Sequence, residues 1–182
     1  MRTLPEHLES RRAVLSLGSN LGARDRWLTL ATQSLERSGA RLLASTPRWN
    51  TRPRAAPPQP DYLNQLLLMD APLDGLGWLA LAEEAENSAG RLRSVPKGPR
   101  TLDVDVVLVL GETAAGPRLS LPHPALFDRP HLLAGAAALV PEWHPAGSDL
   151  SVIEIAREQL TGSWARPVPI RGAAGPPAPE WP

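Results

Sequence analysis

Leu102-Asp-Val-Asp-Val-Val-Leu-Val-Leu110 is the stretch on which the fold turns. After two aspartates the run is uniformly apolar, as an interior strand requires, and a strand sends alternate side chains to opposite faces. Leu102, Val104 and Val106 therefore point into a core, while Asp103 and Asp105 project together from the other face.

Upstream, Arg91 to Arg100 is a basic loop, and Gly75 to Ala89 reads as a helix capped by Asp74 and ended by Gly90. Tyr62 to Met69 is apolar and strand-like. Asn50 to Pro60 holds four prolines without regular period and is expected to be a loop. Arg41 to Trp49 is a further extended stretch, interrupted by Pro47. Ala13-Val-Leu-Ser-Leu17 reads as the first strand and Gly18-Ser-Asn-Leu-Gly22 as a tight turn. A helix follows over Arg24–Ser38, with Trp27, Leu28, Ala31 and Leu35 at helical spacing.

Downstream, a short strand is expected around Arg118-Leu-Ser-Leu121, and helices over His131–Leu139 and Ser151–Leu160. Ser151 and Glu154 stand at capping-box spacing. Strands alternate with helices, yet some are joined by short turns. That pattern predicts an α+β sandwich, with helices packed on a largely antiparallel sheet.

The 182 residues suit one domain over 13–161, between an N-terminal extension, 1–12, and a Pro/Gly-rich tail, 162–182. With 19 basic and 19 acidic side chains the net charge is zero, which speaks against a general nucleic-acid or anionic-membrane surface. No segment has the apolar length of a membrane span or secretory signal, so a cytoplasmic protein is expected. Cysteine is absent, removing disulfides, thiolate metal sites and cysteine nucleophiles.

The chemistry concentrates in Gly90-Arg-Leu-Arg-Ser-Val-Pro-Lys-Gly-Pro-Arg-Thr-Leu-Asp-Val-Asp105. Two carboxylates side by side at a strand's mouth are hard oxygen ligands suited to Mg²⁺, phosphate oxygens and water completing its shell. A pair of solvated acids is the plain alternative, since Asp-x-Asp is common. Arg91, Arg93, Lys97 and Arg100 shift the balance: guanidinium forks fit phosphate oxygens, and cations beside acids are what a polyphosphate–metal site needs. His123, between two prolines, is rigidly presented and suits either a phosphate contact or a structural hydrogen bond. Tyr62 and Asn64 share a strand face, an aromatic plane beside an amide that would suit a flat polar heterocycle. Core packing of Tyr62 stands equally open. The Gly18–Gly22 segment lacks the Gly-Lys-Ser/Thr ending of a phosphate loop.

In that order and spacing, Leu17-Gly-Ser-Asn-Leu-Gly22, Gln59-Pro-Asp-Tyr-Leu-Asn64, Gly90-Arg91, Gly98-Pro-Arg-Thr-Leu-Asp-Val-Asp105 and Leu121-Pro-His-Pro124 with Arg129 are specific. From about Val14 to Pro145 the chain resembles the 6-hydroxymethyl-7,8-dihydropterin pyrophosphokinases of folate biosynthesis. The resemblance implies a ferredoxin-like α+β sandwich that transfers the β,γ-pyrophosphoryl unit of ATP to the pterin hydroxymethyl oxygen, releasing AMP. It implies two Mg²⁺ ions on Asp103 and Asp105, with Arg91 and Arg100 assisting transfer. Glu83, Glu86, Arg93, Arg100, Val106, Arg118, Leu119, Ser120, His123 and Arg129 fall at ATP-site positions. Thr51, Arg52, Arg54, Tyr62, Asn64 and His131 fall at pterin-site positions, Tyr62 stacking on the ring and Asn64 bonding its edge. Partners are then ATP and the pterin alone, without nucleic acid or membrane, and the protein is expected to be a monomer.

Three departures from the family pattern stand out. Lys97 replaces a common tryptophan in a loop one residue shorter, His131 replaces the second stacking aromatic, and Thr51-Arg-Pro-Arg-Ala-Ala-Pro-Pro58 carries two arginines. They predict weaker pterin binding or altered loop closure. They also motivate a second reading, a non-catalytic nucleotide- or partner-binding relative with a degraded pterin pocket. Retention of Arg91, Arg100, Asp103 and Asp105 together argues against it. An RNA-binding ferredoxin-like domain is disfavoured by neutral charge and few aromatics.

Overall fold

A computed structural model describes residues 10–53, 58–91 and 98–160. The strand that opens the chain, β1 (Arg11–Ser19), is central, paired antiparallel with β4 (Tyr62–Ala71) on one side and β5 (Asp103–Val109) on the other. Its apolar run follows from burial on both faces: Ala13, Val14, Leu15 and Leu17 are all fully buried. At the edge beyond β4 lies β2 (Arg41–Ser45), with the short β3 (Trp49–Thr51) pairing the start of β4.

Helix α1 (Arg24–Arg37) links β1 to β2, and α2 (Gly75–Ser88) links β4 to β5. The order β2-β4-β1-β5, all antiparallel, is the ferredoxin-like arrangement expected of the sequence. A two-stranded ribbon follows, β6 (Ala114–Ala115) with β7 (Ser120–Leu121), then α3 (Pro130–Leu139) and α4 (Val152–Gln159).

Each sheet face has its own core. Leu15 and Leu17 of β1, Leu63 and Leu67 of β4 and Val104 and Val106 of β5 pack with Leu28 and Leu35 of α1 and Trp78 of α2. On the reverse face Val14, Leu66, Leu68 and Val107 pack with Leu132, Leu133 and Ala136 of α3 and Val152 and Ala156 of α4. A Leu side chain fully buried in either cluster contributes roughly 1.5–3 kcal/mol.

The caps agree with the sequence. The Asp74 carboxylate accepts from the Gly77 N–H at 2.8 Å, and a cap of this kind contributes about 1 kcal/mol. Gly90 takes φ +65°, a left-handed conformation that glycine adopts without strain. The Ser151 N–H and hydroxyl both donate to the Glu154 carboxylate, at 2.8 and 2.6 Å, which holds that acid below the usual carboxylate range.

Four expectations are corrected. Gly18 and Ser19 belong to β1, not to a turn, because β4 and β5 continue to pair with them on both sides. The 41–49 stretch is two strands. Pro47 has no N–H for the ladder, and Thr46 bridges the gap, its N–H donating to Leu66 O at 2.9 Å and its hydroxyl accepting from Leu66 N–H at 3.0 Å. Asn50 and Thr51, expected in a loop, complete β3 opposite Leu63 and Tyr62. The first strand also begins at Arg11, inside the expected 1–12 extension; residues 162–182 lie outside the described residues.

Candidate active site

Sheet register assembles the site. Trp49, Asn64, Gly18 and Asp103 form one cross-strand row, and Leu66, Ser16 and Asp105 form the next. Thr51 pairs with Tyr62 one step further out. Asp103 and Asp105 alternate with Val104 and Val106, which are buried in the core beneath α1 and α2. The acids therefore lie on the opposite face, the one that α3 covers only further along the sheet.

Gly18 forms the floor between Asp103 and Asn64. A Cβ placed there would lie 3.0 Å from Asn64 Oδ1 and 3.8 Å from both Asp103 Cβ and Tyr62 Cδ1. The residue leaves a cradle that any other side chain would fill. On its far side, Asn64 is buried and its Nδ2 donates to Thr51 Oγ1 at 2.7 Å, which fixes the amide and turns Oδ1 towards the cradle.

Charge is interlocked around Asp103. Its Oδ1 meets Arg91 Nη1 at 2.6 Å and its Oδ2 meets Arg100 Nη1 at 2.9 Å. Arg91 also pairs with Glu86, whose Oε1 accepts the Val104 N–H at 2.9 Å. Glu86 is 4% exposed and sits behind Arg91, fixing it against the start of β5. Arg100 lies over the Tyr62 ring, 5.9 Å from its centroid, a cation–π arrangement. Although burial works against its charge, the carboxylate of Asp103 raises the Arg100 pKa above its ordinary value.

Asp105 is the unbalanced group. Burial, then the neighbouring Asp103 charge, pushes its carboxyl up to about 7, with Arg129 and Arg100 only partly offsetting them. Its cost in the charged form is what a bound cation would remove. Among the described residues no cluster of three or more acids or histidines surrounds it. Two neighbouring carboxylates, one of them held by Arg91 and Arg100, are hard oxygen donors of the kind that suits Mg²⁺, whose shell also takes water and phosphate oxygens.

His123 is pinned to β5 by its N–H donating to Val107 O at 2.7 Å, just after the cis Leu121–Pro122 bond. Its Nδ1 accepts the Ala125 N–H at 3.1 Å, so in the neutral ring the proton resides on Nε2. Burial first, then the Arg129 charge, lowers its pKa and keeps the ring neutral. The group presented is thus an N–H donor, of use to a phosphate oxygen.

The remaining candidates are less concentrated. Glu83 and Arg118 pair at 3.6 Å on the exposed side of α2, and Leu119 packs against Gly75 and the first core. Ser120 is half-buried in β7. The Val106 side chain is buried in the first core, away from the acids. His131 is half-buried in the first turn of α3, two residues beyond Arg129, the N-cap. Arg52 is exposed after β3. Arg54, Arg93 and Lys97 lie outside the described residues.

Two residues escaped the sequence reading. Asn20 falls in the Gly18–Gly22 segment, where a turn is expected, yet it is 2% exposed and bonded to Gln59, Pro60 and Arg100. Arg24 donates to Asn50 Oδ1 at 3.2 Å and Asp61 O at 2.7 Å, tying the start of α1 to the strands that carry Thr51 and Tyr62. The partners lie too far along the chain for spacing to reveal them.

The chain is similar to known proteins over most of its length. Residues 14–141 match the family model of 7,8-dihydro-6-hydroxymethylpterin-pyrophosphokinase. A Bacillus subtilis 2-amino-4-hydroxy-6-hydroxymethyldihydropteridine pyrophosphokinase is 32% identical over 128 residues, covering 70% of this chain and 77% of the relative. The Mycobacterium bovis protein of the same name is 36% identical over 140 residues, 71% of this chain and 73% of its own. The folic acid synthesis protein fol1 of Schizosaccharomyces pombe is 30% identical over 142 residues, 77% of this chain, but the chain spans only 19% of its length. Among solved structures, Plasmodium falciparum HPPK-DHPS with pteroate shares the fold, with TM-score 0.66 and 11% identity over 85% of this chain and 43% of that one. The chain belongs to the 7,8-dihydro-6-hydroxymethylpterin-pyrophosphokinase family, the pyrophosphokinases of folate synthesis.

Proposed function

We propose that this chain transfers the pyrophosphoryl group of ATP to 6-hydroxymethyl-7,8-dihydropterin, giving the pterin diphosphate and AMP, with Mg²⁺ on Asp103 and Asp105. The observation that carries the reading is the cross-strand row itself. Asn64, the open floor at Gly18, and Asp103 with its two arginines lie side by side, so a heterocycle and a metal–phosphate group can meet above one glycine.

In this reading Thr51, Asn64 and Tyr62 hold the pterin, Asn64 offering Oδ1 to a ring N–H and Tyr62 its face. Bound Mg²⁺ would neutralise phosphate charge and orient the chain for in-line attack at the β-phosphorus. Asp103 and Asp105 would hold the ion, and Arg91 and Arg100, beside Asp103, would then offer their guanidinium forks to the phosphates, where charge moves as the bridging bond breaks. His123 donates Nε2–H to a phosphate oxygen, and Arg129 adds positive charge near Asp105. Among these residues none stands as a general base, so catalysis rests on positioning and charge. The hydroxymethyl oxygen bonds to the β-phosphorus, the α–β bridging oxygen departs with AMP, and the hydroxymethyl proton passes to solvent.

The alternative of a non-catalytic relative is not favoured, since the family model and relatives named as pyrophosphokinases match most of the chain. No helix among the described residues is long and apolar enough to cross a membrane. We further propose that the protein acts as a cytoplasmic monomer on these two small molecules. The test of the metal site is ATP binding by calorimetry with and without Mg²⁺. Binding that requires Mg²⁺ and disappears in Asp103→Ala is expected; equally tight metal-free binding would contradict the assignment.

A further inference from the structure

One buried amide joins the two halves of this site. Asn20 follows the last residue of β1 and is 2% exposed. Its backbone N–H donates to Arg100 O at 3.1 Å, and its Oδ1 accepts the Arg100 N–H at 2.8 Å. Both main-chain groups of the transfer arginine are thus clasped by a single residue 80 positions away. On the other side Nδ2 donates to Gln59 Oε1 at 2.7 Å and to Pro60 O at 3.2 Å, at the end of the loop that leads into Tyr62.

The amide orientation is dictated by its backbone partners. Arg100 N–H can only donate and Pro60 C=O can only accept, so Oδ1 faces the former and Nδ2 the latter. The connection continues, because Gln59 Oε1 also accepts the Tyr62 hydroxyl at 3.3 Å. It closes on itself where the Arg100 guanidinium lies over the Tyr62 ring. Arg100, Asn20, Gln59 and Tyr62 therefore form a loop of contacts linking the proposed transfer arginine to the proposed pterin platform.

We infer that Asn20 is a positioning residue that holds Arg100 in register with Tyr62, so that the phosphate and pterin halves keep one fixed relative placement during transfer. The inference rests on the pyrophosphokinase reading above. Asn20 touches neither substrate in this account. A misplacement of reacting groups by about 1 Å can cost on the order of 100-fold in rate, so a clasp on the backbone of Arg100 has ample leverage. A purely structural role would lower stability without altering turnover of the folded protein.

The test uses the full chain and a double-mutant cycle of Asn20→Asp and Gln59→Ala. Asp retains the acceptor for Arg100 N–H but sets an oxygen against the Pro60 carbonyl; Gln59→Ala removes the other partner of Nδ2. Pterin-dependent AMP release is measured with MgATP, at a temperature well below the melting point of the least stable variant. Each single change should lower kcat roughly 10- to 100-fold while KM for MgATP stays within about twofold. The double variant should be no slower than the slower single, because both break one link. Unchanged kcat in the folded single variants, or losses that multiply in the double, would overturn the inference. If Asn20→Asp does not fold, Gln59→Ala alone decides it, a wild-type kcat counting against and a loss with unchanged KM for MgATP counting for. Wild-type protein that releases no pterin-dependent AMP would instead overturn the functional reading and this inference with it, an outcome that the wild-type control separates from the others.

Discussion

The proposed phosphate half of the site and the proposed pterin half are built by different means. Around Asp103 the parts are charges in contact: two arginines on one carboxylate, Glu86 behind Arg91, and Asp105 left with its ionised form disfavoured. Around Asn64 the parts are neutral and fixed by register: a threonine hydroxyl, an amide, an aromatic ring and a glycine floor. The first half is a balance of charge that a ligand must rearrange, and the second is a shape that a ligand fills. Substitutions in the two halves should therefore separate kinetically, the first in kcat and the second in KM for the pterin.

The sharpest way to break this comparison is Arg100→Ala. By analogy with arginines that stabilise phosphoryl transfer, kcat should fall about 10³-fold or more, with folding intact. Steady-state AMP release measures it, and a loss confined to pterin KM would erase the distinction between the halves. Gly18→Ala is the matching change on the other side. Its Cβ would crowd Asn64 Oδ1 at 3.0 Å, and the pterin KM should rise by roughly tenfold while Mg²⁺-dependent ATP binding is kept. Equal damage to both substrates would mean that the floor serves the whole site.

The smallest effect is on stability. Asp105 is held up to about 7 from 3.8, so between those values the folded state binds more protons than the unfolded. In metal-free protein this group's contribution should thus diminish as pH rises from about 4 to about 7 and level off above. His123, whose pKa is lowered, works in the opposite sense near its ordinary 6.5, gaining stability as pH rises. Comparing wild type with Asp105→Asn isolates the aspartate. The variant's melting temperature should exceed that of the wild type at pH 8 and lose that advantage at pH 4. A gap that does not change with pH would remove the charge argument for Asp105.

Local pattern carried much of this protein. The strand at 102–110 and its paired acids were legible because period-two alternation is a property of neighbouring residues. The caps at Asp74 and Ser151 were legible for the same reason. What stayed hidden depends on partners distant in the chain. Gly18 and Ser19 read as a turn because glycine and serine favour turns, yet pairing with β4 and β5 overrides that preference. The pairing of Glu86 with Arg91 and with the Val104 N–H, across the end of α2, is likewise invisible in local pattern. Asn20 stands in the Leu17–Gly22 segment, yet nothing local shows its role, because its partners lie 39, 40 and 80 residues away.

The central claim is that the acids, arginines and pterin row form one transfer site, and AMP release tests it most directly. Purified protein with MgATP should release AMP only when 6-hydroxymethyl-7,8-dihydropterin is present, and Asp105→Ala should release essentially none. Folded protein that binds MgATP but yields no pterin-dependent AMP, or an Asp105→Ala variant as active as the wild type, would contradict it.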